Sequence, residues 1–484
     1  MTNLQSSDKP ASPALHWPSL LQLVLSLLAA FILFGAAVII SLSAAFQYST
    51  GATTTTDLTQ PFMVAASLVF AGVLVLPSAW YAWRHIAFPD KAAVRYAERR
   101  GFVWILTIIV MVIETGVLLL GNWASQNSQV AWFLLPPLNV IATGLPALWV
   151  VYIGTRGLIG GAPRRMWGVF AGGLVLGPFI ILILELVLLA FVGLVAILWV
   201  MLNPSLANQL YGLAIQLQNS GPNLDNILKE LVPFITNPGI IFIGFAFISV
   251  LVPLLEESLK PIGVWFLAGQ KLSPAQGFGY GILSGAGFGL FENLGNTSGG
   301  GTEWALLAST RISTLLLHSF TAGLVGWALV SAWSERRYLR LALIYTIAVV
   351  VHGLWNAMAL LSLAASLPDV TNVNLPAFVL QISRYSSYGI VGLGLVIFFV
   401  YIGANSSLRH QMSSAILPPS GETQRSRSLD SNLLGATLDE PQEPSSETAP
   451  NSAASPEEDQ LQPGSGPTDH QDEGNSTTLT GSKE

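Results

Sequence analysis

Long apolar runs separated by short polar breaks fill the first 404 residues of the chain. A helix rises about 1.5 Å per residue, so roughly 20 apolar residues cross a hydrocarbon core. Ten segments meet that pattern: 18–46, 61–83, 102–121, 129–154, 167–202, 239–268, 276–296, 304–333, 342–366 and 377–404. The run 167–202 would be about 54 Å long as one helix, too long for a simple span, and is expected to tilt, protrude or break near Gly193. The pattern predicts an all-α, polytopic transmembrane bundle of about ten spans. Its expected parts are a cytoplasmic N-terminus (1–17), an N-terminal membrane region of about five spans (18–202), an external loop (203–238), a second membrane region of about five spans (239–404) and a disordered acidic cytoplasmic tail (405–484).

Within the external loop, Leu224, Ile227, Leu228, Leu231 and Val232 recur at helical spacing, so a short amphipathic helix on the outer surface is expected there, with a packed connector as the alternative. From residue 405 onward Ser, Pro, Gly and acidic residues replace the apolar runs, too little to offset chain entropy. Residues 1–16 are polar and the first apolar run is too long for a cleavable leader, so that run is expected to act as an uncleaved signal anchor.

Composition agrees with a membrane protein: 52% of the 484 residues are hydrophobic and only 10% are charged, against about 25% charged in an average soluble domain. The net charge of −6 arises in the tail, where 13 acidic residues face 4 basic ones after Ala404, so it says nothing about partners of the membrane part. No nucleic-acid partner is expected. Cysteine is absent, which excludes disulfides, thiolate metal sites and a Cys nucleophile. Basic residues set the orientation. One set of loops holds twelve (Arg84, Lys91, Arg95, Arg99, Arg100, Arg156, Arg164, Arg165, Lys271, Arg336, Arg337 and Arg340), and the opposite set holds only Lys229. This places both termini in the cytoplasm, with the chain in a cell membrane.

Against that background a few polar positions stand out in successive segments: Glu256, Glu257 and Lys260; Glu292; His318; and His352 with Asn356. An ionisable side chain inside a bilayer costs a few kcal/mol, so such residues are functional candidates. Glu256 lies four residues from Lys260 and Glu257 three, so one Lys can neutralise one carboxylate and leave the other as a general base or acid. The alternative is an ion cluster that merely ends the helix. Pro253 and Pro261 bracket the pair, and Pro261 has no N–H for the Glu257 carbonyl, so a kink is expected. Gly285 and Gly289 form a GxxxG pair expected to bring Glu292 near the Glu256 helix; otherwise Glu292 is an outer-interface residue. A lone His such as His318 is as often a hydrogen-bonded core residue. His352 and Asn356 share a helix face and could both donate to an oxyanion, or form an interhelical polar clamp. Measured from the cytoplasmic helix ends, the four groups lie about 15–24 Å deep and can meet in one layer. Glu114 and Glu185 have no nearby partner in sequence and look less relevant. Arg311 and Arg384 are expected to snorkel near outer helix ends, and Arg311 is also placed to neutralise Glu292.

Taken together, Glu256-Glu257-Ser-Leu-Lys260, Phe288-Gly-Leu-Phe-Glu292, His318 and His352-Gly-Leu-Trp-Asn356 resemble the PrsW family of intramembrane proteases, which is related to the CaaX prenyl endopeptidases and Abi proteins. The resemblance covers roughly 240–365. It implies a bacterial, glutamate-type, metal-independent peptidase acting on a membrane-anchored protein substrate, with regulated signalling as the expected setting. In it Glu256 activates water, Glu257 and Lys260 tune or hold it, Glu292 takes the place of a His in CaaX-type relatives, and His352 and Asn356 stabilise the oxyanion. No cofactor is then expected. The alternatives are a divalent metal such as zinc held by Glu256, Glu292, His318 and His352, although no HExxH is present; a proton-coupled transporter using the same groups as a relay; and a membrane scaffold.

Overall fold

Every long helix follows from an apolar run, but the site depends on where those helices are interrupted. The computed structural model describes residues 16–88, 103–159, 161–220, 237–371 and 377–416, with no strand among the described residues. In order come α1 (Trp17–Ser49), α2 (Thr59–Ala87), α3 (Val103–Ser125) and α4 (Ser128–Thr155). Helix α5 (Pro163–Ala171) runs through a π-helical turn (Gly172–Leu176) into α6 (Gly177–Met201), and α7 (Pro204–Ser220) follows. Helix α8 (Pro238–Ala246) runs through a second π-helical turn (Phe247–Leu251) into α9 (Val252–Leu259) and, past a break, into the short α10 (Ile262–Trp265). The chain continues with α11 (Pro274–Thr297), α12 (Trp304–Glu335), α13 (Tyr338–Thr371) and α14 (Ala377–Ile416).

Nine helical segments among the described residues are long and apolar enough to cross a membrane. The tenth expected segment, 276–296, is α11. It is helical over 24 residues, about 36 Å, but its glycines and polar residues keep it below that apolar threshold. Eighteen of its 24 residues are buried, so it needs no lipid-facing side chains. Ser273 and Gln276 form a capping box at its start, with Pro274 in the first turn.

Helices α11 and α12 run antiparallel in close contact. Gly277 abuts Gly326, Gly281 abuts Ala322, Gly285 abuts the His318 carbonyl and Gly289 abuts Leu315. Small residues let two backbones approach where lipid supplies no hydrophobic drive between helices. The opposite side of α11 meets the earlier part of the chain: Gly279 packs on Ile159, and Gly287 on the Phe170 carbonyl. A buried polar chain ties the ends together, with Trp304 Nε1 donating to Asn139 Oδ1 (2.9 Å) and Asn139 Nδ2 donating to Ser67 Oγ (3.2 Å). Residues Met1–Pro418 form one compact unit; the other unit, Pro419–Glu484, lies outside the described residues.

Three expectations change. The run 167–202 does not break at Gly193, which sits inside the continuous helix α6; the irregularity is the π-helical turn at Gly172–Leu176. Without competing water, a glycine inside a membrane helix keeps its hydrogen bonds. At the π turn, Gly173 lies so close to α11 that a Cβ there would be 2.0 Å from the Ser284 carbonyl. The last helix continues twelve residues past Ala404 to Ile416, where a disordered tail was expected. Asn405 Nδ2 donates to the carbonyls of Gly154 (2.7 Å) and Arg156 (3.1 Å), and Leu408 is buried, so this part has packing to fold against. In the loop 203–238, residues 204–220 are helical, while the amphipathic stretch 224–232 lies outside the described residues, as do the tail beyond 416 and residues 1–15.

A side chain at position 281 would meet the Ala322 carbonyl at 2.2 Å, whereas one at 295 meets nothing within 4 Å. Gly281→Val is expected to destabilise the bundle by about 1–3 kcal/mol, the usual cost of overpacking. Thermal unfolding in detergent micelles checks this: the Gly281→Val midpoint drops, and Gly295→Ala stays at the wild-type value.

Candidate active site

Two interruptions bracket the Glu pair. The π turn at Phe247–Leu251 ends where Pro253 begins α9, and α9 ends at Lys260 because Pro261 cannot donate to the Glu257 carbonyl. The expected kink is present as a full break. Ser284 of α11 bridges it: its Oγ donates to the Lys260 carbonyl (2.6 Å) and accepts from the Gly263 N–H (3.2 Å). Helix α13 holds the segment before the break. Asn356 Nδ2 donates to the Ile248 carbonyl in the π turn (3.0 Å), and Tyr345 Oη donates to the Leu254 carbonyl (2.5 Å). Gly353 lets the Ser249 carbonyl approach where a Cβ would lie 2.2 Å away. Irregular backbone at membrane depth is tolerated where protein groups satisfy it, as they do here.

The side chains held by this frame form one connected cluster. Lys260 is fully buried, with Nζ 2.9 Å from Glu256 Oε2, 2.8 Å from Glu257 Oε1 and 3.1 Å from His352 Nδ1. The Phe288 ring lies beneath it, 5.1 Å from Nζ to the centroid. His352 Nδ1 is 2.9 Å from Glu257 Oε1, and its Nε2 is 3.9 Å from Glu256 Oε2. The rings of His352 and His318 meet edge to face, 5.4 Å between centroids. His318 Nε2 lies 2.6 Å from Glu292 Oε2, and Glu292 Oε1 takes Arg311 (3.0 Å) and Asn296 Nδ2 (3.2 Å). Ligand atoms of Glu256, His318 and His352 all fall within 4.8 Å of one another.

The sequence-expected residues thus meet, with two differences of detail. Gly285 and Gly289 face α12 at His318, not the Glu256 helix, so the GxxxG pair brings Glu292 to His318. Asn356 engages the π-turn carbonyl, the arrangement of the interhelical clamp. Arg311 neutralises Glu292, as its spacing suggested. Glu185 was missed. Its side chain comes close to the Glu256 carboxyl and lies within electrostatic reach of Glu292 and Lys260. Its partner is far away in sequence, so only its rarity as the single charge in α6 marked it.

The neighbouring glutamates differ sharply. Glu257 is wholly enclosed and committed to Lys260 and His352. The Glu256 side chain is 12% exposed, and its Oε2 makes no aligned hydrogen bond beyond the close Lys260 contact. Glu257 Oε2, Glu292 Oε2 and both ring nitrogens of His318 are likewise buried without an aligned hydrogen bond.

Removing one partner of a buried ion pair strands the other charge, at about 3–5 kcal/mol. Lys260→Met is expected to lower the thermal midpoint in detergent strongly. Adding Glu257→Gln to that variant recovers a large part of the loss. A single Lys260→Met protein as stable as wild type would contradict the buried ion cluster.

Residues 161–382 match the family model described as PrsW family intramembrane metalloprotease. No curated protein and no solved structure matches the chain. The family match begins well before residue 240, where the resemblance read from motifs starts, and takes in α5 and α6 together with every residue of the cluster. Over residues 161–382 this multi-pass membrane protein is thus similar to the PrsW family, and the match supports an intramembrane endopeptidase.

Proposed function

We propose that Glu256 activates water for hydrolysis of a peptide bond in a membrane-anchored protein substrate. One observation carries this reading: of the two adjacent glutamates, Glu256 alone keeps an exposed side chain (12% against 0%), and it lies together with two imidazoles. A positioned carboxylate of this kind contributes roughly 10²–10⁴-fold as a general base. Glu257 and Lys260 act behind it. With the His352 Nδ1–H donating to Glu257 Oε1, Nε2 turns its lone pair toward Glu256 and the shared pocket. His318, anchored at Nε2 by Glu292 with Arg311 behind it, lies beside Glu256 and His352, and in its imidazolium form its other ring nitrogen supplies a donor for the developing oxyanion. Asn356 acts as a positioning residue that fixes the π turn ahead of Glu256. Both termini lie in the cytoplasm on the strength of the basic loops, and regulated signalling is the setting the family resemblance favours.

A second reading is favoured by the family description and by the donor set. Glu256, His318 and His352 bring a carboxylate and two imidazoles within 4.8 Å, and this set of oxygen and nitrogen donors, held by ion-pair contacts without aligned hydrogen bonds, suits a divalent cation. These three residues would hold the ion, with Glu292 beside them, and it would supply Lewis-acid polarisation and a more acidic water. The Glu257–His352 pair would then orient a ligating imidazole.

A quantitative survey of new peptide N-termini in host membranes tests the function. Wild-type protein is expected to generate termini that Glu256→Gln reduces by about 10²-fold or more at matched expression and insertion. Normal cleavage by Glu256→Gln would falsify the assignment of the base. Chelator treatment followed by zinc add-back separates the two readings: unchanged cleavage supports the carboxylate acting without metal, and loss restored by zinc supports the bound ion.

A further inference from the structure

The long helix α6 is built for lipid except at one position. Leu182, Leu186 and Val187 are 54%, 56% and 62% exposed in the isolated chain, as suits an outward-facing apolar helix. Glu185 is the only charged residue between Gly177 and Met201, and it is half-buried. A carboxyl at such a place costs a few kcal/mol relative to an aliphatic residue. Its direction accounts for its presence, because α6 packs on α9 and this side chain comes within hydrogen-bond reach of the Glu256 carboxyl.

The backbone is shaped for this contact. The π turn at Gly172–Leu176 seats Gly173 against the Ser284 carbonyl, and Gly177 against Ile262 on the far side of the α9 break. Helix α6 leaves that fixed point packed on both α9 and α11. Single π turns inside helices recur at functional sites, and here one precedes each partner: Gly172–Leu176 before Glu185 and Phe247–Leu251 before Glu256. The same Ser284 that receives Gly173 also bridges the break after Lys260, so α6 and α9 are referenced to one residue of α11.

Charge points the same way. Four carboxyl groups, Glu185, Glu256, Glu257 and Glu292, face two fixed cations among the described residues, Lys260 and Arg311. Lys260 is shared between Glu256 and Glu257, and Arg311 is taken by Glu292. A second carboxyl within hydrogen-bond reach of Glu256 holds that side chain from the lipid side, where no other polar group of α6 is present.

We propose that Glu185 is a positioning residue of the site, fixing the Glu256 carboxyl in its reactive orientation by direct hydrogen bonding from α6. This inference rests on the peptidase reading above.

Two measurements on the full chain in membranes test it. The first uses the absence of cysteine. The double variant Glu185→Cys/Glu256→Cys is treated with a short-spacer bis-methanethiosulfonate, and linked peptides are identified by mass spectrometry. A link is expected in this variant and not in Val187→Cys/Glu256→Cys, whose first position faces away. No link between 185 and 256 overturns the contact whatever the protein cleaves. The second counts Glu256-dependent new N-termini. Glu185→Leu suits the lipid and keeps the protein inserted, yet is expected to lower those termini about 10–100-fold, the loss of a strong hydrogen bond. Glu185→Gln, which can still donate to Glu256, is expected to recover most of the signal. Cleavage by Glu185→Leu at the wild-type level, or a Gln variant no better than Leu, overturns the positioning role. A 185–256 link with no Glu256-dependent termini even from wild type instead sinks the peptidase reading, and this role with it.

Discussion

A single ammonium, that of Lys260, sets the terms for the whole site. It is entirely buried and touches Glu256, Glu257 and His352 at about hydrogen-bond distance. Each ion taken from water into a protein interior costs several kcal/mol, repaid only by close partners with good geometry. Its own helix supplies the two carboxylates and stops just after it at Pro261. The remaining contacts come from other helices: His352 from α13 and the Phe288 face from α11 meet the ammonium, and the Ser284 hydroxyl of α11 donates to the Lys260 carbonyl. Seating this charge therefore requires α9, α11 and α13 to meet at one depth.

The meeting is enforced by backbone proximity. Helix α11 is too polar and too rich in glycine to face lipid, and it is buried on nearly every side. Its glycines press one face onto α12, which carries His318, and the other onto α5 and the first π turn. The earlier helices are consequently part of the frame. Asn139 of α4 joins Ser67 of α2 to Trp304 at the start of α12, and Tyr401 of α14 donates to the Val150 carbonyl of α4 (2.8 Å). Helices α1–α4 precede the family match, yet α2 and α4 pack directly on α11. Their packing gives them a structural part in holding the site.

Periodicity and charge made much of this legible. Apolar runs of span length located nine of the segments by hydropathy and α11 by its place between them. Rare ionisable residues in apolar surroundings marked Glu256, Glu257, Lys260, Glu292, His318 and His352, because the bilayer makes their presence costly. What stayed hidden were features that depend on helix-to-helix register. Glu185 is equally rare, but its partner is remote in sequence, so spacing rules could not connect them. The bend in 163–201 was sought at Gly193, since glycine weakens helices in water; inside lipid the decisive glycines are those that another backbone approaches, Gly173 above all. Asn356 shows the same limit. Its spacing from His352 puts both on one face, but only the π turn at Phe247–Leu251 offers its amide a carbonyl to hold.

Glu256 and Glu257 illustrate how the fold assigns different tasks to chemically identical neighbours. Successive helix positions differ by about 100°, so one rotates inward toward α13 while the other looks along α6. The inward residue, Glu257, finds both a cation and an imidazole and is sealed. The other meets the open side of the cluster, where it shares Lys260 and its side chain stays 12% exposed. Exchanging their roles would require a register shift of one residue in α9. The proline at each end of α9, the π turn before it and the Ser284 bridge after it fix that register from both directions. The backbone irregularities that make this segment expensive in a membrane are thus the same features that decide which carboxylate stays accessible.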